Sequence, residues 1–203
     1  GKTSYKQIFP RYHQLKAVTM LLDRAKKEGA GQRYLIQHSA GSGKSNSIAW
    51  LPHQLGTLQN GGKNIFDTVI VVTDRINLDK QIKNTIKQFT QVSSTVGWAK
   101  SASDLHTLLD EGKKIIITIV HKFQFILNDI STAYKNRTFA IIIDEAHSSQ
   151  NGSLAAKMNI VISGNVYTDD DDFEDKINTI IEGKKMAQNA SYFAFTATPK
   201  NKT

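Results

Sequence analysis

Cysteine is absent from all 203 residues, which excludes a disulfide framework, a thiolate metal site and a cysteine nucleophile. That absence fits a reducing compartment. Long apolar runs are missing as well: the longest, around Ile115 to Val120 and Ala140 to Ile143, have strand length, whereas a bilayer crossing needs about 20 apolar residues in succession. A soluble protein with no membrane partner is expected. Gly1 to Lys6 leads into a polar stretch, so no export signal opens the chain and a cytoplasmic location is the default expectation. There is no internal repeat. What is present suffices for an ordinary core, since 39% of residues are hydrophobic in a chain long enough for one large domain or two small ones.

The formal charge is +8, and it is unevenly spread. Asp169 to Asp172 with Glu174 and Asp175 gather six of the 18 acidic residues in one segment, so 12 acids face 26 lysines and arginines elsewhere. Such a surplus suits a polyanion, because neutralising phosphates releases counterions. A merely solvated basic surface reads the same way on charge alone.

Strand-like and helix-like patterns alternate along the chain. Tyr12 to Glu28 reads as a helix with Leu15, Val18, Leu22 and Ala25 on one face, ended by Gly29 to Gly31. Tyr34 to Gln37 reads as a strand, followed by a small glycine-rich turn and a helical pattern from Lys44 through Leu55. Pro52 predicts a kink or an early end there, since it removes a backbone bond and crowds Ile48. Thr68 to Thr73 is a continuous β-branched run, suited to a strand covered on both faces, and Ile76 to Phe89 has helical periodicity. Ser101 or Ser103 caps a further helix carrying Leu105, Leu108 and Leu109, closed by Gly112. Ile115 to Val120, Phe139 to Ile143 and Tyr192 to Phe195 complete the strands. This alternation predicts an α/β fold, with a mainly parallel β-sheet and helices on both faces, whose ligands bind at the carboxyl ends of the strands. The pattern weakens from Ser148 to Ser191, which predicts an insertion at about 148–190.

The sequence Gly41-Ser42-Gly43-Lys44-Ser45 falls between a strand and a helix. There, glycines let backbone N–H groups close around phosphate oxygens at a helix N-terminus. Lys44 is then placed to meet β- and γ-phosphates and the Ser45 hydroxyl to hold Mg²⁺. The strict spacing asks for a glycine where this chain has His38. A nucleoside triphosphate also needs an acidic site for its metal and a base for the attacking water. Asp144-Glu145, just past the apolar run Phe139 to Ile143, supplies both, with Asp144 on the metal and Glu145 as general base. On its own, Glu-Ala-His could equally be an exposed turn. Asp144, Glu145 and His147 are also zinc-ligand types, but no second histidine or cysteine lies at ligand spacing.

The set Gly41 to Ser45, Asp144-Glu145-Ala146-His147 and Thr196-Ala197-Thr198-Pro199 resembles motifs I, II and III of the first motor domain of superfamily 2 helicases. The resemblance covers about Arg11 to Pro199. Arg11-Tyr12-His13-Gln14, Gln37-His38, Thr73-Asp74-Arg75 with Leu78-Asp79, and Ser149-Gln150 further resemble the motor subunit of type I restriction enzymes, in which a histidine takes the place of the first glycine. The resemblance implies a RecA-like P-loop domain spanning 1–203, the first of two, and ATP with Mg²⁺ as cofactors. It implies that Gln14, with Arg11, reads the adenine edge, and that Thr196 and Thr198 couple nucleotide state to DNA through His147. Thr73, Asp74, Arg75, Thr118, His121 and Lys122 match segments that contact nucleic acid. Ser148 stands where a basic residue is usual.

The same resemblance implies several partners: duplex DNA, a second RecA-like domain carrying an arginine finger beyond Thr203, and the modification and specificity subunits of a restriction complex. An arginine finger is worth about 10³ to 10⁵ in rate, so this stretch by itself is expected to bind ATP·Mg²⁺ weakly and hydrolyse it poorly. No nuclease pattern precedes Arg11. The leading expectation is an ATP-driven motor that translocates duplex DNA in a restriction subunit. Its rivals are a helicase or repair motor outside restriction, a non-catalytic nucleotide-binding scaffold, and a small-molecule kinase. The kinase has little use for Thr196-Ala197-Thr198, and intact Lys44, Asp144 and Glu145 argue against the scaffold.

Overall fold

The computed structural model describes residues 9–39, 41–73, 95–123, 126, 129–130, 132–144 and 187–197. Helix α1 (Tyr12–Glu28) leads to β1 (Arg33–His38), α2 (Lys44–Gly56) and a short hairpin of β2 (Gln59–Asn60) with β3 (Lys63–Asn64). Then follow β4 (Thr68–Thr73), β5 (Val96–Trp98), α3 (Ala102–Asp110), β6 (Ile115–Ile119), α4 (Val120–Phe123), β7 (Phe139–Ile143) and β8 (Ala190–Ala197). Six strands form one sheet in the order β1-β8-β7-β4-β6-β5, with every neighbouring pair parallel.

Both faces of the sheet are covered, and the side chains divide between them with the two-residue period of a strand. Val69, Val71, Ile115, Ile117, Ala140 and Ile142 pack with Val18, Leu21, Ile48, Leu51 and Leu55 of α1 and α2. Ile70, Val72, Ile116 and Ile141 pack on the other side with Leu105 and Leu109 of α3 and with Phe123. Burial on both sides explains why the central strands read as unbroken apolar runs in the sequence.

Three features depart from the sequence reading. The helix carrying Pro52 does not end early: it continues to Gly56 with Leu51 and Leu55 fully buried. Burying such side chains stabilises by about 1.5–3 kcal/mol each, enough to offset the roughly 3 kcal/mol that an interior proline costs. The inward face of α1 is Gln14, Val18, Leu21 and Ala25, whereas Leu15 is 53% exposed. The stripe is turned because a polar residue occupies an inward position, and apolar periodicity cannot register that. Finally, Val120 leaves the strand to begin α4, while β5 and the β2–β3 hairpin add to the elements read from sequence. Ser101, not Ser103, caps α3: its hydroxyl accepts from the Asp104 N–H at 3.0 Å, and the Asp104 carboxylate accepts from the Ser101 N–H at 3.1 Å. The helical pattern at Ile76 to Phe89 lies outside the described residues, as does the insertion at about 148–190 except for residues 187–190, which lead into β8.

Candidate nucleotide site

The loop joining β1 to α2 stands at the carboxyl edge of the sheet, beside the end of β8, since His38 is level with Ala197 and Gln37 with Thr196. Gly41 and Gly43 have φ of 78° and 84°, the left-handed region where a Cβ is strained. Gly43 has a second reason to lack a side chain, because a Cβ there would lie 2.3 Å from Gln14 Nε2. Ser42 N–H donates to the Ser39 carbonyl at 3.1 Å and Asn46 N–H to the Gly43 carbonyl at 3.0 Å, so the loop runs directly into the first turn of α2.

Across from the loop, β7 ends at Ile143, and the Asp144 N–H continues the ladder by donating to the Val72 carbonyl at 3.0 Å. That bond fixes Asp144 at the tip of the strand. Its carboxylate lies 3.3 Å from Lys44 Nζ, with the Asp144 side chain 0% and the Lys44 side chain 12% exposed. Two residues a hundred positions apart therefore meet at the edge where ligands of parallel sheets bind. A buried carboxylate needs a cation to compensate its desolvation. The arrangement is suited to exchanging that ammonium for a divalent cation while Lys44 turns to a phosphate. The Asp144 carboxylate and the half-buried Ser45 hydroxyl are hard oxygen donors of the kind Mg²⁺ selects, so the residues present fit a nucleotide carrying such an ion.

The first turn of α1 braces the loop from outside. Gln14, 2% exposed, accepts from the Arg11 N–H through Oε1 at 2.8 Å. Through Nε2 it donates to the Ser42 and Gly43 carbonyls at 3.1 and 2.9 Å. His13 Nε2 lies 2.9 Å from the Ser42 carbonyl, and His38 Nδ1 lies 3.0 Å from Ser42 Oγ. Burial, with His13 and Lys44 adding to it, holds the His38 imidazole below its ordinary value. Sequence reasoning noted His38 as a replaced glycine and His13 only as part of a motif. Their shared hold on Ser42 carries no periodic signal and emerges only from the fold.

Thr73 ends β4 and Thr118 is the penultimate residue of neighbouring β6; both are buried, and the Thr73 hydroxyl donates to the Thr118 carbonyl at 3.5 Å. Neither presents a surface to a phosphate in this structure. The ammonium of Lys122, in α4, donates to the Lys100 carbonyl. Thr196 lies on β8 beside the loop strand. His121 falls in α4, its side chain outside the described residues, as are Asp74, Arg75, Glu145, His147 and Thr198.

The profile of the SWI2/SNF2 ATPase family matches residues 13–203. Among curated proteins, the chain is similar to the MjaIXP endonuclease subunit of a type I restriction enzyme from Methanocaldococcus jannaschii, 28% identical over 204 residues, covering 96% of this chain and 17% of that one. It is similar to the type I restriction enzyme SsaAORF53P endonuclease subunit of Staphylococcus saprophyticus, at 27% identity over 94% of this chain. It is also similar to the SauCOLORF180P endonuclease subunit of Staphylococcus aureus, at 25%. The chain spans 17% of the length of each of these relatives. Among solved structures, the UvsW helicase from bacteriophage T4 superposes on 95% of this chain and 54% of its own, with a TM-score of 0.51 and 13% identity. That likeness shows the fold, an α/β RecA-like sheet.

Proposed function

Because the chain belongs to the SWI2/SNF2 ATPase family, we propose that it is the ATP-binding half of a DNA-translocating motor within the endonuclease subunit of a type I restriction enzyme. The observation that carries this reading is the 3.3 Å approach of Lys44 to Asp144, which brings a phosphate-loop cation and a strand-end carboxylate to one point. The names of the relatives from Methanocaldococcus and Staphylococcus support the restriction setting.

When bound, Mg²⁺·ATP supplies the phosphoryl group to be transferred and the cation that neutralises its charge. The residues of this chain do the rest. Gly41, Ser42 and Gly43 turn backbone N–H groups toward the phosphates, and Lys44 meets the β- and γ-oxygens. Ser45 and Asp144 would hold the metal. Glu145 accepts a proton from the attacking water, the role its place after Asp144 suits. Gln14, with Arg11, reads adenine, because an amide both donates to and accepts from that base edge. Thr196 and Thr198, relayed by His147, pass nucleotide state to the DNA-facing edge, where Thr73, Arg75, Thr118, His121 and Lys122 track a phosphate backbone. Since Thr73 and Thr118 are buried here, their contact requires the edge to open when DNA binds. A second RecA-like domain of the full-length chain completes the ATP site, and modification and specificity subunits bring the motor to DNA in the cytoplasm.

The test is steady-state ATP hydrolysis by the full-length subunit with duplex DNA, single strands or RNA. Stimulation by duplex, abolished by Glu145→Gln with ATP still bound, is the expected result. Stimulation by single strands or RNA alone assigns a different motor, and no stimulation by any of them refutes the proposal.

A further inference from the structure

The first turn of α1 holds the phosphate loop more firmly than reading a base requires. His13 Nε2 and Gln14 Nε2 both reach the Ser42 carbonyl, at 2.9 and 3.1 Å. A carbonyl oxygen only accepts, so the His13 ring carries its proton on Nε2. The peptide that contains the Ser42 carbonyl also contains the Gly43 N–H, and in a trans peptide the two point in opposite directions. Fixing the carbonyl outward therefore fixes that N–H inward, toward the phosphates.

Gln14 is already fully occupied. Both its amide hydrogens serve loop carbonyls and its oxygen accepts from Arg11. To read adenine it must donate to the base, so it has to release at least one loop carbonyl. Each of those carbonyls has a second donor. The Gly43 oxygen keeps the Asn46 N–H at 3.0 Å, and the Ser42 oxygen keeps His13. His38 Nδ1 lies 3.0 Å from Ser42 Oγ, and the two imidazole rings meet edge-on with centroids 6.2 Å apart.

We propose that His13 is a positioning residue of the phosphate loop: it holds the Ser42 carbonyl, and through it the Gly43 N–H, while Gln14 exchanges its loop contacts for the adenine edge. The inference rests on the adenine role proposed for Gln14. His13 itself is exposed on the first turn of α1, so replacing it disturbs no core packing.

The test measures Mg²⁺-dependent binding of fluorescent ATP to the full-length subunit, with tripolyphosphate as a probe that lacks a base. His13→Phe keeps a ring of similar size without a donor, and His13→Gln returns an amide N–H to roughly the same reach. His13→Phe is expected to weaken ATP binding about five- to tenfold, the loss of one hydrogen bond that supports a charged ligand. It should weaken tripolyphosphate by less than about twofold, because Gln14 stays on the loop when no base draws it away. His13→Gln should recover ATP affinity to within about twofold of wild type. Equal weakening for both ligands, or a His13→Gln variant as poor as His13→Phe, overturns the inference. The underlying reading is tested separately by Gln14→Ala. A preference for ATP over GTP that survives this change refutes the adenine role of Gln14, while wild-type protein that binds no ATP refutes the motor reading itself.

Discussion

Removing the Lys44 ammonium should destabilise the nucleotide-free protein more than removing the charge of its partner, and the two changes should not add. At 3.3 Å and an effective dielectric of about 20, Coulomb attraction between the groups is roughly 5 kcal/mol. Much of it is offset by taking the carboxylate out of water, since the Asp144 side chain has no exposed surface. Lys44→Ala leaves that carboxylate buried without the cation opposite it, at a cost of about 3 kcal/mol. Asp144→Asn removes the charge instead. Lys44, 12% exposed, can then turn toward solvent, and the cost falls to about 1 kcal/mol. The double variant has no stranded charge and should lose about 2 kcal/mol, giving a coupling energy of about 2 kcal/mol. Urea denaturation followed by the fluorescence of Trp50 and Trp98 measures all four corners of the cycle. Single costs that add to within about 0.5 kcal/mol would refute the claim that a buried ion pair joins the phosphate loop to the end of β7.

Other consequences follow from the same geometry. Gly43→Ala meets both a φ of 84° and the Gln14 amide 2.3 Å from its new methyl group; equilibrium dialysis should find nucleotide binding lost, with stability lowered by about 1–2 kcal/mol. His38 takes up a proton less readily in the folded chain than its ordinary value of 6.5. As pH falls through that value the unfolded chain gains a proton first and stability declines, until the folded pKa is passed and the dependence flattens. Burial is the main cause, with His13 and Lys44 adding to it, so thermal midpoints of wild type and His38→Asn should diverge below pH 6.5 and run parallel above it. Phe193, fully buried between Tyr34 at 4.8 Å and Phe66 at 6.2 Å between ring centroids, should cost about 3–5 kcal/mol when replaced by alanine, read from the denaturation midpoint at constant slope.

What could be read in the sequence depended on how each element is buried. Thr68 to Thr73 and Phe139 to Ile143 announced themselves because strands covered on both sides carry apolar or β-branched residues at every position. The phosphate loop was legible because its glycines, lysine and serine are adjacent in sequence, and the fold adds the distance to Asp144 that no spacing rule contains. β5 escaped notice because it has three residues and one of them is Gly97. The inward face of α1 was misjudged by one residue for an instructive reason: Gln14 points inward to hydrogen-bond the loop, and burial of a satisfied polar group has no apolar signature. Pro52 misled in the opposite direction. Local propensity argued for a kink or an early end, and with Leu51 and Leu55 packed in the core the helix runs past Pro52 to Gly56.

The most direct measurement is a crystal structure of the full-length subunit with Mg²⁺ and a non-hydrolysable ATP analogue. The account predicts that Lys44 leaves Asp144 for the β- and γ-phosphate oxygens while Asp144 turns to the metal. A nucleotide bound elsewhere, with the 3.3 Å contact between Lys44 and Asp144 still intact, would contradict it.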